Sequence, residues 1–189
     1  EENYFFRLKN YKEQLLEYLS GKRKIEEVLG LSFKKDGKNV HNSPRPLITN
    51  LDELPFPDRD IFPMSNYVEK EHLSGGVFWT GILTSRGCPG VCTYCVINSV
   101  HGRGFRYRTA ENIYKELKEL NDKYKSHIIR FVDDAFTHDT KRLHRICDMI
   151  IEDKSLDIIW DCDSRINDVT EETLTKMKNS GCKSIIFGV

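Results

Sequence analysis

The chain is 189 residues long, one domain with a remainder by the usual size of domains. With 39% hydrophobic residues, 31% charged residues and a mean hydropathy of −0.52, it is too apolar for a disordered chain and too polar for a membrane-embedded one. Lys and Arg equal Asp and Glu at 29 each, so no net field draws it to nucleic acid, anionic lipid or an acidic substrate.

In chain order, Leu8, Tyr11, Leu15 and Leu19 recur at helical spacing with Leu16 beside them, and Gly21 follows as a stop; one amphipathic helix is predicted. Residues 31–40 read as a β-hairpin, because Asp36-Gly37 is a favoured two-residue turn between short alternating runs. Between His41 and Gly76 stand all the prolines except Pro89. Proline fixes φ and interrupts regular pairing, so this segment is expected to be an extended connector. Phe56, Ile61, Phe62 and Tyr67 are apolar enough to pack on a neighbour, which argues against a flexible linker.

From residue 77 onward strand and helix alternate, with strands predicted at 77–84, 127–132, 156–162 and 183–189. Thr109 caps a helix carrying Ile113, Leu117, Leu120 and Tyr124 on one face, and a second helix is buried through Leu143, Ile146, Cys147 and Ile150. A third starts near Thr170 with Glu171 and Glu172 in its first turn and Gly181 as its stop. Single helices between strands predict βαβ units, a parallel sheet and an α/β fold, and strands apolar almost throughout are expected to be buried on both faces. Four strands and three helices make half of a barrel or most of an open sheet; because a barrel must close to remove its edges, further strands are expected beyond Val189. The chain opens at Glu1 without a methionine and closes within a strand-like run, so it is expected to be a fragment.

Six cysteines stand at 88, 92, 95, 147, 162 and 182. Three fall within eight residues and the rest are scattered through predicted helices and strands, which argues against a disulfide scaffold and for a metal site in a reducing cytoplasm. Cys88, Cys92 and Cys95 form a CxxxCxxC loop directly after the first strand, at the carboxyl end where parallel α/β folds bind ligands. Soft thiolates select iron–sulfur centres, zinc or Cu(I). A [4Fe–4S] cluster on three cysteines leaves one iron open, and an open metal position marks a site that binds a reactant. A structural zinc would recruit a fourth ligand such as His101 or Cys162, and a ferredoxin-like electron-transfer module would need a fourth nearby cysteine, which this sequence lacks.

With Tyr94 just before its last cysteine, this loop resembles the cluster motif of the radical S-adenosylmethionine (SAM) enzymes. The resemblance extends to Ser43-Pro44-Arg45-Pro46-Leu47-Ile48, Leu51-Asp52-Glu53-Leu54-Pro55-Phe56-Pro57, Arg106-Tyr107-Arg108-Thr109-Ala110-Glu111-Asn112, Phe131-Val132-Asp133-Asp134-Ala135-Phe136, and Gly181-Cys182 before Ile185-Ile186-Phe187-Gly188-Val189. These are similar to the subfamily whose radical domain follows a cobalamin-binding domain. The resemblance implies the first half of a (βα)6 partial, TIM-like barrel. Residues 1–42 would be the tail of a cobalamin-binding domain, 43–76 a proline-rich connector, and 77–189 the truncated radical SAM core.

By the same resemblance Cys88, Cys92 and Cys95 each hold one iron of a [4Fe–4S] cluster, and SAM chelates the fourth through its amino and carboxylate groups. Reductive cleavage of SAM to a 5′-deoxyadenosyl radical would follow, with a flavodoxin- or ferredoxin-type electron donor and a small-molecule substrate. Outcomes in the subfamily include methylation of unreactive carbon or phosphorus and ring-forming oxidations, and cobalamin would be held by a domain outside this chain. Tyr94 would border the adenine; its alternative is packing under the loop. Gly87 and Gly90 permit positive φ or a close approach of backbone to cluster. Asp133 and Asp134 stand where many members carry two glycines and a glutamate for the SAM amino group, although position 135 is Ala here; the alternative is helix capping or pairing with an Arg. Arg165, after the third strand, could pair with the SAM carboxylate or form a surface salt bridge. Cys162 could face the barrel interior, whereas Cys147 and Cys182 read as small buried hydrophobes. The basic aromatic stretch Arg103, Phe105, Arg106, Tyr107 and Arg108 is too short for nucleic acid and reads as a solvated face or a contact with the preceding domain. His101 and His138 have no ligand spacing.

Overall fold

The computed structural model of the protein describes residues 12–62, 79–102 and 104–188, so the expectations for Leu8, Tyr11, Pro63, Tyr67, Val77, Arg103 and Val189 lie outside the described residues. The chain divides into two compact units, Glu1–Thr49 with Glu53–Pro55, and Asn50–Asp52 with Phe56–Val189.

In the first unit a helix, α1, covers 12–19 and gives way to Gly21 at positive φ. Strands β1 (Ser32–Lys35) and β2 (Lys38–His41) pair antiparallel across Asp36 and Gly37, both at positive φ, as the two-residue turn requires. The Asn42 amide donates to the carbonyls of Ile25 and Val28 at 2.7 and 2.9 Å, tying the hairpin to the turn before it.

In the second unit the order is β3 (Trp79–Ile82), β4 (Ser85–Arg86), α2 (Ile97–His101), β5 (Arg106–Tyr107), α3 (Ala110–Asp122), β6 (Ile128–Phe131), α4 (Thr140–Glu152), β7 (Ile159–Arg165), α5 (Glu171–Asn179) and β8 (Cys182–Gly188). The long helices start where the sequence supplies a cap: Thr109, Asp139 and Thr170 each accept a hydrogen bond from the backbone N–H three residues on. Strands β3, β6, β7 and β8 form one sheet in that order, parallel throughout, with α3, α4 and α5 as crossovers. The predicted α/β fold is present.

One face of the sheet packs on the helices. Ile82, Ile129, Phe131, Trp160 and Cys162 meet Ile113, Leu117, Leu120, Leu143, Ile146 and Met177 in a single core. Phe131 stacks on Phe136 at 4.1 Å, both meet the edge of Trp160, and Trp160 Nε1 donates to the Ser180 carbonyl at 3.0 Å. Burial on both faces does not hold. Along β7 buried residues alternate with more exposed ones: Trp160, Cys162 and Ser164 face the helices, while Asp161, Asp163 and Arg165 lie on the opposite face. On that face Arg130 pairs with Asp161 and, at 2.9 Å, with Asp163. The third strand also starts later than 156. Leu156 and Ile158 are buried in the core, so they read like strand residues, but pairing begins only at Ile159. Cys147 and Cys162 are fully buried and Cys182 only partly, its thiol pushed up to about 11 by burial.

The connector over 50–62 is ordered in part by charge. Ile61 and Phe62, expected to pack, are exposed. Instead the Asp52 carboxylate accepts from Thr109 N and Oγ1 at 2.9 and 2.6 Å, and Asp60 accepts from Tyr124 at 2.9 Å and pairs with Lys123. Buried Arg59 and Arg108 share the carboxylate of Glu116, itself 1% exposed, and Phe56 lies under the Arg108 guanidinium. Removing one member of a buried charge cluster strands the others, at a typical cost of about 3–5 kcal/mol. In urea unfolding, Glu116→Ala is therefore expected to lose about that much stability, whereas Glu111→Ala, in an exposed pair with Arg145, should leave the midpoint nearly unchanged.

Candidate functional site

Parallel pairing brings the carboxyl ends of four strands to one rim, and the cysteine loop leaves from the first of them. Thr84 and Ser85, the residues that leave the sheet, are polar yet buried, so each polar atom needs a partner. Asp133 supplies most of them. Its carboxylate accepts from Thr84 N at 3.1 Å, from Thr84 Oγ1 at 2.8 Å, and from Ser85 Oγ. Arg142, in the first turn of α4, donates to Thr84 O at 3.1 Å, to Thr84 Oγ1 at 3.2 Å and to Phe136 O at 3.2 Å. The rings of Phe105, Tyr107 and Phe136 stand 5.3–5.8 Å from its guanidinium carbon. Burial pushes the Asp133 carboxyl up and the Arg142 guanidinium down.

The base of the loop is a short antiparallel ribbon, Ser85 opposite Tyr107 and Arg86 opposite Arg106. Gly87 follows at φ +85°, and a Cβ there would stand 2.3 Å from the Gly104 carbonyl oxygen; only glycine fits both the conformation and the crossing backbone. Past it come Cys88, partly exposed, and Cys92 and Cys95, both exposed; all are free thiols. Arg165 ends β7 rather than following it, and its Nη1 lies 3.4 Å from where a Cβ on Gly90 would be, with Cys88 Sγ 3.3 Å from the same point. The Asp134 carboxylate is 4.0 Å from His101 Nε2, at the end of the helix that follows the cysteines.

Loop, Arg165 and Asp134 thus share the rim. Asp133 is 1% exposed and its carboxylate faces the stem of the loop, accepting from Thr84 and Ser85. Tyr94 is 86% exposed and does not pack under the loop. Within the basic aromatic stretch Arg108 is buried against Glu116 and Asn112, Phe105 meets His138 and Tyr107, and Arg106 donates to the His101 carbonyl at 2.7 Å, while Tyr107 stays about half exposed. Sequence reasoning passed over Arg130 and Arg142. The period-two run Asp161, Asp163, Arg165 signalled a polar strand face, and an arginine in the first turn of a helix, against its dipole, signalled a dedicated partner for Arg142.

Among the described residues no three Cys, His, Asp or Glu side chains are grouped to hold one metal ion. A single-ion site demands such a group, whereas a four-iron cluster takes one thiolate per iron. Three free thiols in one loop, with Gly87 where the backbone is crowded, are soft donors of the type that iron–sulfur centres take. No helix among the described residues is long and apolar enough to cross a membrane.

The sequence model of the Radical SAM superfamily matches residues 82–189. An uncharacterized methyltransferase of Pyrococcus horikoshii is 38% identical over 93% of this chain and 37% of its own length. The cytidylyl-2-hydroxyethylphosphonate methyltransferase of Streptomyces wedmorensis is 24% identical over 92% of this chain and 37% of its own. Among solved structures, the radical S-adenosylmethionine methyltransferase TsrM of Kitasatospora setae, with cobalamin and a [4Fe-4S] cluster bound, superposes with a TM-score of 0.64 at 17% identity, covering 94% of this chain and 36% of that one. The fold is therefore shared, and the chain spans just over a third of the length of these relatives.

Burial separates the six thiols. In the metal-free chain, iodoacetamide is expected to label Cys92 and Cys95 well before Cys147 and Cys162, whose thiols are held above their ordinary value by desolvation. Raising the pH to about 8.5, where an ordinary thiol is half ionised, should still leave those two unlabelled in peptide mass maps.

Proposed function

This chain belongs to the radical SAM superfamily, and on that premise we propose that it is the cofactor-binding part of a radical SAM methyltransferase. Cys88, Cys92 and Cys95 would each hold one iron of a [4Fe–4S] cluster, leaving the fourth iron for the amino and carboxylate groups of SAM. When bound, the cluster supplies the electron whose transfer cleaves SAM to methionine and a 5′-deoxyadenosyl radical. The observation that carries this reading is the CxxxCxxC loop at the carboxyl end of the first parallel strand, with the Arg165 guanidinium against its Gly90.

The chain's own residues bind and orient. Arg165 is free to pair with the SAM carboxylate through its planar fork, at the rim where Cys88 also lies. Asp134, at the same rim, accepts hydrogen bonds from the SAM amino group or a ribose hydroxyl. Tyr94 borders the adenine through its backbone, and its exposed ring is available to cover the cluster from water. Asp133 acts through Thr84 and Ser85 and not on SAM itself.

Methyltransfer is favoured over the cyclase alternative because the Pyrococcus and Streptomyces relatives and TsrM are named methyltransferases, although a Synechocystis relative, 24% identical, is named a cyclase. Cobalamin, which TsrM binds, would enter through a preceding domain. On this reading residues 1–42 are the tail of that domain, 43–76 the connector and 77–189 the first half of the partial barrel. The substrate is a small molecule, the electron donor a low-potential flavodoxin or ferredoxin, and the compartment the reducing cytoplasm.

The test is direct. Full-length protein reconstituted anaerobically with iron and sulfide, given SAM and dithionite, is expected to release 5′-deoxyadenosine; Cys92→Ala should abolish release and Cys147→Ala should retain it. A colourless zinc protein, or equal loss in both variants, would overturn the reading.

A further inference from the structure

The stem of the cysteine loop is built at an unusual expense. Asp133 and Arg142 are a carboxylate and a guanidinium, 1% and 6% exposed, set beside the apolar core of Phe131, Phe136 and Leu143. Taking both out of water is costly, and apolar residues of similar size would often serve stability as well. Arg142 also stands in the first turn of α4, where the helix dipole opposes a cation. Departures from local rules of this kind collect where function demands a fixed geometry.

What the two residues hold is narrow. From one side the Asp133 carboxylate accepts from Thr84 N, Thr84 Oγ1 and Ser85 Oγ; from the other, Arg142 donates to Thr84 O and Thr84 Oγ1. Both therefore grip the dipeptide that turns the chain out of the sheet. Arg108 N adds a bond to Thr84 O at 2.9 Å, and Gly87 is locked against the Gly104 carbonyl immediately beyond. Cys88 is the next residue. Its position is set by a stem in which the backbone and side chain of Thr84 are fully engaged.

We propose that Asp133 and Arg142 are positioning residues for the cluster: by fixing Thr84 and Ser85 they set the direction in which Cys88 is delivered to its iron. This rests on Cys88, Cys92 and Cys95 being the cluster ligands. It assigns Asp133 to the support of the ligand loop, where the family pattern would assign it to the SAM amino group.

The experiment uses the reconstituted full-length protein, with Asp133→Asn, Ser85→Ala and Cys92→Ala. Readouts are iron per chain, the rate of iron loss to a chelator, the EPR signal of the reduced cluster, the dissociation constant for SAM, and the thermal midpoint of the metal-free chain. Asp133→Asn is expected to lose iron several-fold faster and to broaden the EPR signal; because it also removes the charge beside buried Arg142, its metal-free midpoint should fall as well, so the milder Ser85→Ala separates positioning from stability. Ser85→Ala, which deletes one hydroxyl and leaves Asp133 in place, should show a smaller change in the same direction, and the double variant should be no worse than Asp133→Asn alone because both act through one contact. Should Asp133→Asn fail to fold, Ser85→Ala decides. Iron loss at the parent rate in the variants, or weakened SAM binding with unaltered iron retention, would overturn the inference. If instead Cys92→Ala loads iron as well as the parent, the ligand assignment itself falls, and the inference with it.

Discussion

Every strand of this sheet runs the same way, and that constraint brings the ends of β3, β6, β7 and β8 to a single rim. Residues far apart in sequence meet there without any special contact between them. The cysteine loop follows β3, Asp134 follows β6 and Arg165 closes β7; the Arg165 guanidinium reaches Gly90 across some seventy-five residues of chain. Antiparallel pairing of β3 with β6 would send Asp134 to the opposite edge. The site is thus a consequence of topology first and of side-chain chemistry second.

The two faces of the sheet do different work. Helices α3, α4 and α5 cover one with an apolar core, whose burial is the main stabilising term. The other carries Arg130, Asp161, Asp163 and Arg165 in alternation along paired strands. On that face the ion pairs join Arg130 to two carboxylates of the neighbouring strand, all of them partly exposed.

Much of this was legible in the sequence, for physical reasons that differ by element. The helices were readable because capping residues and a 3.6-residue apolar period are local: Thr109 and Thr170 act within three residues, and the α4 period runs through Leu143, Ile146, Cys147 and Ile150. The cysteine loop was readable because thiolate chemistry needs those residues at that spacing. The start of β7 was not, since Leu156 and Ile158 are as buried as strand residues without being paired. The fate of Asp133 was not either. A carboxylate beyond a strand end can face the rim or the stem, and here the choice is made by Thr84, Ser85 and Arg142, which the sequence places 48 and 49 residues before it and on the next helix. For the connector, Phe62 and Ile61 drew attention by being apolar, while the contacts that order it are made by Asp52, Arg59 and Asp60.

The central claim is that three thiolates of one loop hold a four-iron cluster and leave one iron open to SAM. EPR of the reduced, reconstituted full-length protein tests it most directly. The account predicts a [4Fe–4S] signal whose g values shift when SAM is added, because SAM takes the open position. A signal indifferent to SAM at saturating concentration would contradict it.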